Sequence, residues 1–274
     1  MAQIAIVTDE ISQDFETAVV LGLEWGIGNF EIRSVYLQRV PDISERERTA
    51  VLRTIKEYGV NITAISPGLF KIPLESEQVE AHLNEKLYAA FEFAREVETK
   101  KVIVFGFLPP QGVDHSTYPQ QVVDLLGEAA QKAAQEGVVL SLENEPICWA
   151  DTGQRTAQIV SQVGAKSLGI NWDPCNAICS GEVLPYPEGY EKVKRYMNHL
   201  HIKDAVRDST GRWRCVNLGE GEVDWRGQIE ALIADAFDEY YTVETHFGPG
   251  VRTSKVCTEN LRQIVAEVQA GEGH

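Results

Sequence analysis

The sequence predicts an α/β chain folded as a single (β/α)8 TIM barrel over residues 1–270, with a flexible C-terminal tail at 271–274. Three observations carry this reading. Short apolar or β-branched runs recur eight times with helical stretches between them, the alternation that builds a parallel sheet. No Ser/Gly/Pro-rich linker or long charge block divides the 274 residues, a length suited to one α/β barrel. No G-x-G-x-x-G follows the first run, where a doubly wound dinucleotide fold would carry it.

The predicted strands are 4–8, 29–33, 60–66, 101–107, 138–143, 168–173, 198–203 and 240–245. Between the second and third, Ser44 and Glu47 have capping-box spacing, Val51, Ile55 and Tyr58 share one helical face, and Gly59 is the terminator. Before the fifth strand, Pro119 suits the first turn of a helix that presents Val122, Val123, Leu126, Ala130 and Ala133 and stops at Gly137. After the seventh, Gly219, Glu220 and Gly221 form a loop leading into a helix at Asp224 and Trp225, without the spacing of a Walker motif.

Composition narrows the partners. A formal net charge of -16 repels phosphate backbones and anionic lipid heads, which argues against nucleic acid and membrane surfaces and for a small neutral or locally paired substrate. The start has no basic region before Asp9 and Glu10, and no apolar run is long enough to span a bilayer, so a cytoplasmic protein is expected. Cys148, Cys175, Cys179, Cys215 and Cys257 are odd in number and lack a C-x-x-C pair, and read as reduced structural thiols. A homo-oligomer is compatible with this composition.

Barrel chemistry collects at the carboxyl ends of the strands, and the last four strands end in acids and histidines. Side chains alternate along a strand, so Ser141 and Glu143 share a face, as do Asn171 and Asp173, then His199, His201 and Lys203, then Thr242, Glu244 and His246. The intervening Leu140, Leu142, Ile170, Trp172, Leu200, Ile202 and Val243 suit an outer surface covered by helices. With the polar faces inward, Glu143, Asp173, His201 and Glu244 converge as ligands. Each alone is as readily a loop cap or a paired charge; the four together point to a metal. Such an oxygen-rich set suits one divalent cation, Mn²⁺ first, with Mg²⁺, Co²⁺ or Zn²⁺ as alternatives.

The ordered Glu143, Asp173, His199-x-His201 and Glu244 at four successive strand ends resembles the xylose-isomerase-like TIM barrel superfamily of sugar (phosphate) isomerases and epimerases, ketose 3-epimerases in particular. The stretch from Gly219 to Trp225 is similar to a loop those proteins carry after the seventh strand, and Glu31-Ile32-Arg33 resembles their acidic second-strand end. The resemblance spans nearly the whole chain, most specifically its second half. It implies that the four residues hold one metal and that Glu143 and Glu244 are also the acid and base on opposite faces of the carbon whose hydrogen is exchanged. It further implies a substrate contact for Arg207, six residues after His201.

The implied reaction is proton abstraction next to a carbonyl, through a cis-enediolate whose oxygen charge a divalent ion stabilises. Two bases on opposite faces invert a centre, whereas one base on a single face moves the proton between carbons; epimerisation and aldose-ketose isomerisation use the same parts. Lys203 either stabilises an enolate oxygen or, more commonly for such a residue, pairs with Asp204, Glu222 or another acid. Glu31, Arg33 and Lys71 are further candidates around a carbohydrate, although an arginine or lysine is most often a solvated charge. His199 and His246 are either partners of the metal site or packed imidazoles, while His82, His115 and His274 carry no signal.

Two positions depart from ketohexose epimerases: Asn176 stands where a histidine is frequent, and Trp149 where an acid is. Asn cannot carry a proton near neutral pH, and Trp offers an apolar platform for a sugar face. The departures open a keto-glycoside, inosose or sugar-acid substrate, with epimerisation, dehydration or other elimination as outcomes. An endonuclease IV type enzyme would need more than six histidines and a basic face. A non-catalytic metal-containing sugar-binding barrel would have no need for both Glu143 and Glu244.

Overall fold

A computed structural model describes residues 3–114, 117–248 and 250–271. Eight parallel strands close into a barrel: β1 (Gln3–Val7), β2 (Asn29–Ile32), β3 (Asn61–Leu69), β4 (Lys101–Val104), β5 (Val139–Glu143), β6 (Leu168–Trp172), β7 (Met197–Ile202) and β8 (Tyr240–Val243). Each pairs with its sequence neighbours, and β1 closes the ring by pairing Gln3 with Tyr240. The principal helices that follow them are α1 (Phe15–Glu24), α2 (Glu45–Tyr58), α3 (Leu87–Glu96), α4 (Gln120–Glu136), α5 (Gly153–Val163), the short α6 (Tyr190–Val193), α7 (Trp225–Ala234) and α8 (Gly250–Ala270). Residues 272–274 of the expected tail, with His274, and also His115 lie outside the described residues.

Local chemistry accounts for the helix ends. Ser44 and Glu47 form the reciprocal capping box of α2, and Gly59 ends it in the left-handed conformation at φ 62°. Asp224 caps α7 by accepting from the Gly227 N–H. Pro119 departs slightly from expectation: at ψ 143° it is the extended residue before α4 rather than part of its first turn. A proline there still leaves the first helical amides free of its ring.

Strand alternation sorts the barrel into two shells. Leu140, Leu142, Ile170, Trp172, Leu200, Ile202 and Val243 pack in the apolar core between sheet and helices. Trp172 also donates from its indole to Gln228 of α7 at 2.9 Å. The opposite faces carry Glu31, Ser141, Asn171, His199 and Thr242, all fully buried inside the ring.

Of three register shifts in the barrel, two lie beside the inward polar side chains. Phe30 pairs with Ile62 but Glu31 with Ala64, leaving Thr63 as an extra residue in β3. Ile170 pairs with Met197 but Asn171 with His199, so Asn198 is extra in β7. Such bulges bend a strand and increase its twist. The second needs Gly169, because a Cβ there would fall 2.4 Å from Asn198 Cγ.

Candidate metal centre

Glu143, Asp173, His201 and Glu244 bring one ligand atom each to positions within 4.8 Å of one another, and all four are buried. β5 and β6 place the first two. Asn144 locks these strand ends together, donating to the Asp173 carbonyl at 2.7 Å and accepting from its amide at 2.8 Å. Asp173 then caps the helical turn Pro174–Cys179 by accepting from the Asn176 amide, which fixes Oδ1 and leaves Oδ2 facing the cluster.

His201 stands at the centre of the arrangement. Its Nδ1 lies 3.6 Å from Glu143 Oε2 and 3.3 Å from Glu244 Oε2, while Nε2 faces Glu31 Oε2 at 3.0 Å. The same Glu31 oxygen meets His199 Nε2 at 2.8 Å. A carboxylate behind an imidazole fixes its ring and tautomer and leaves the other nitrogen to a metal. Burial opposes ionisation of Glu31, but His201 and His199 outweigh it and hold the carboxyl well below its usual range. Burial keeps His199 neutral, its pKa lowered to about 4.

The two glutamates are anchored differently. Glu143 accepts from amides, Asn171 Nδ2 at 3.3 Å and Asn176 Nδ2 at 3.2 Å. Glu244 is held by two cations, Arg33 Nη1 at 2.7 Å on Oε1 and Lys203 Nζ at 2.8 Å on Oε2, with His246 Nε2 2.9 Å from Oε1. Burial works against the charge on Glu244, yet His246, Lys203 and His201 prevail and hold it well below the usual carboxylate range. Asp173 goes the other way, because burial pushes it up to about 6 despite Lys203 at 2.8 Å.

These donors fit one divalent cation: three carboxylates and an imidazole converge, and the imidazole's outer nitrogen is already held. Two other acid-histidine groups overlap this one. Glu31, His199 and His201 are bonded to each other below it. Glu10, Glu244 and His246 enclose the Arg33 guanidinium, so that position already holds a cation.

Lys203 forms the ion pair expected of it, with Asp173 and Glu244 as the acids. Asp204 instead accepts the amides of Gly219, Gly221 and Val223, which shapes the loop before α7. Asn176 reaches Glu143 and the Asn144 carbonyl. Trp149, expected as an open platform, is 2% exposed and packs in the core, because its amide bonds to the Phe107 carbonyl and draws the loop inward. Arg207 is exposed on the hairpin Asp204–Arg207 with Trp213–Val216, its guanidinium 4.7 Å from the Trp213 ring centre.

Sequence reasoning missed Asp9, Glu10 and Arg39. Asp9 and Glu10 grip Arg33 at 3.0 and 2.6 Å, turning an arginine read as a substrate contact or a solvated charge into a half-buried clamp. Their signal was the acidic pair at the end of the first strand, the same position that was diagnostic in the last four.

The xylose isomerase-like TIM barrel family model matches residues 21–264. An uncharacterised protein of Methanocaldococcus jannaschii is 22% identical over 254 residues, covering 89% of this chain and 85% of its own. Among solved structures, an L-ribulose 3-epimerase superposes with a TM-score of 0.78 at 16% identity, covering 99% of this chain and 97% of its own. A xylose isomerase-like barrel protein of Mycobacterium smegmatis in complex with magnesium gives 0.73 at 20% identity, covering 94% and 89%. By the extent of the family match and the closed eight-stranded ring, the chain belongs to the xylose isomerase-like TIM barrel family.

Proposed function

We propose that the protein is a divalent-metal-dependent sugar isomerase or epimerase that removes a proton next to a carbonyl and passes through a cis-enediolate. The observation that carries this is the convergence of two buried glutamates, Glu143 and Glu244, on His201 Nδ1 at 3.6 and 3.3 Å. Bound there, a divalent cation, Mn²⁺ by first choice, supplies the electrophile for charge developing on the carbonyl oxygen.

The protein's own groups do the rest. Glu143, anchored by the amides of Asn171 and Asn176 where Glu244 is anchored by Arg33 and Lys203, is the better proton acceptor. Glu244, flanked by Arg33, His246 and Lys203, stays ionised and serves from the other side. Lys203 carries a fixed positive charge at the mouth of β7, where it steadies Asp173 and Glu244. Burial of all four ligands excludes bulk water, which strengthens these interactions and protects an enediolate from side reactions.

The test is metal analysis of the purified protein followed by solvent-deuterium exchange into ketoses, keto-glycosides and inososes. Exchange that requires metal and disappears in folded Glu143→Gln and Glu244→Gln variants is the expected result. Protein that binds no divalent metal sinks the proposal. Metal binding without exchange across the panel makes this a sugar-binding barrel instead.

A further inference from the structure

Three cations near the metal centre are matched by carboxylates, and Arg39 is not. Arg33 meets Asp9, Glu10 and Glu244; Lys203 meets Asp173 and Glu244; Lys71 meets Glu145 at 2.8 Å. Arg39, at the end of the small hairpin Ser34–Val35 with Gln38–Arg39, has no carboxylate within 4.0 Å among the described residues. Its side-chain hydrogen bonds run from Nη1 to the Ser66 carbonyl at 2.7 Å and, weakly, to Ser66 Oγ at 3.5 Å. Among the described residues, Nε and Nη2 have no hydrogen-bond acceptor.

Position makes this vacancy in the pairing informative. Arg39 is half-buried and within electrostatic reach of Asp9, Glu143 and Glu244, so it belongs to the same end of the barrel as the metal centre. It borders a cavity of about 310 Å³ whose lining also includes Lys71, Lys86, His82 and the Gly68 backbone, with Asp42 the only carboxylate. With Lys71 paired to Glu145, Arg39 and Lys86 still outnumber Asp42 in this recess, a local excess of positive charge in a chain of net charge -16. A partly desolvated guanidinium with a free edge binds planar or tetrahedral oxyanions through paired, charge-assisted hydrogen bonds.

We propose that Arg39 recognises an anionic oxygen group of the substrate, carboxylate or phosphate, at the end remote from the enolised carbons, so that the substrate is an acidic keto-sugar derivative. The inference rests on the enolisation proposed above but is read out separately from it. A purely structural Arg39, balancing Glu143 and Glu244 through space, would affect stability and metal affinity without distinguishing charged from neutral ligands.

Isothermal titration of the metal-loaded protein with a ketohexose, its terminal phosphate ester and the matching ketouronate tests this directly. At least one anionic ligand is expected to bind about tenfold or more tightly than the neutral ketose, and the stronger of the two arms identifies the group. Arg39→Gln is expected to remove that preference, weakening the anionic ligand about ten- to hundredfold and the neutral one less than about threefold. Arg39→Lys, which keeps the charge and loses the fork, retains part of it and guards against a folding defect in the first variant. The proposal is overturned if neither anion binds better than the ketose, if neither binds at all, or if Arg39→Gln weakens all three ligands equally. Anion-selective binding without deuterium exchange keeps the Arg39 subsite and removes the enolisation; exchange into neutral ketoses without anion preference does the reverse.

Discussion

Glu31 Oε2 lies 3.0 Å from His201 Nε2, on the far side of the ring from the nitrogen that faces Glu143 and Glu244. Metal affinity should therefore depend on a residue that cannot itself reach the ion. Glu31→Gln keeps the size and an acceptor but removes the charge, and is expected to weaken Mn²⁺ binding by about 10- to 100-fold. Competition titration against a chelator measures it. Unchanged affinity would mean that Glu31 does not orient the ligand.

Protons and metal compete for the same atoms. In the metal-free chain burial disfavours a charged His201, but Glu31, Glu244 and Glu143 overcome it and raise its pKa well above the ordinary value. Asp173 is pushed up to about 6. Metal binding must release the His201 proton and, below about pH 6, increasingly one from Asp173 as well. Affinity should thus rise with pH, most steeply below 6, with about one to two protons released per ion. Calorimetry in buffers of different ionisation enthalpy counts them; no proton release would contradict the assignment of His201 Nδ1 as a ligand.

Arg33 joins both ends of the chain at the barrel closure, binding Asp9, Glu10 and Glu244 with a side chain only 15% exposed. Removing it leaves three buried carboxylates facing one another. Arg33→Met is expected to cost about 3–5 kcal/mol in urea unfolding, and Arg33→Lys less, because a single ammonium cannot span all three. A loss below about 1 kcal/mol for Met would show the clamp to be energetically idle.

The four candidate ligands were legible in the sequence because polar and apolar residues alternate towards the ends of the strands that carry them, so strand-end position and face followed from period. The family model and the barrel agree with the fold read in this way. The Arg33 clamp was not legible: its partner Glu244 is 211 residues away in sequence, and only ring closure brings β1, β2 and β8 together. Trp149 failed for a related reason. Its burial is set by a backbone bond to Phe107 in the preceding unit, which no side-chain pattern announces.

Gly169 accommodates the bulge residue Asn198, whose Nδ2 donates to the Leu140 carbonyl at 3.2 Å. Gly169→Ala pushes a methyl into that amide and should cost about 1–3 kcal/mol as an overpacking substitution. The double variant Gly169→Ala with Asn198→Ala should be less destabilised than the sum of the two single changes. Simple additivity in chemical denaturation would show that the two residues do not compete for space.

His82 sits outside the metal centre and supplies a separate pH response. It is 5% exposed, and its Nδ1 accepts the amide of Phe70, a residue held in the left-handed region at φ 64°. Burial, reinforced by Lys86 and opposed by Asp42, lowers its pKa to about 4. In the unfolded chain a histidine titrates near about 6.5, so as pH falls below that value the unfolded state takes up the proton first. The stabilisation is complete above about 6.5 and is lost progressively towards 4, at no more than about 1.4 kcal/mol per pH unit from this one group. His82→Asn retains an acceptor for Phe70 without a titrating ring, so its stability should fall less steeply than wild type over that window. Parallel pH profiles of the urea midpoints would show that His82 contributes nothing to the acid sensitivity of the fold.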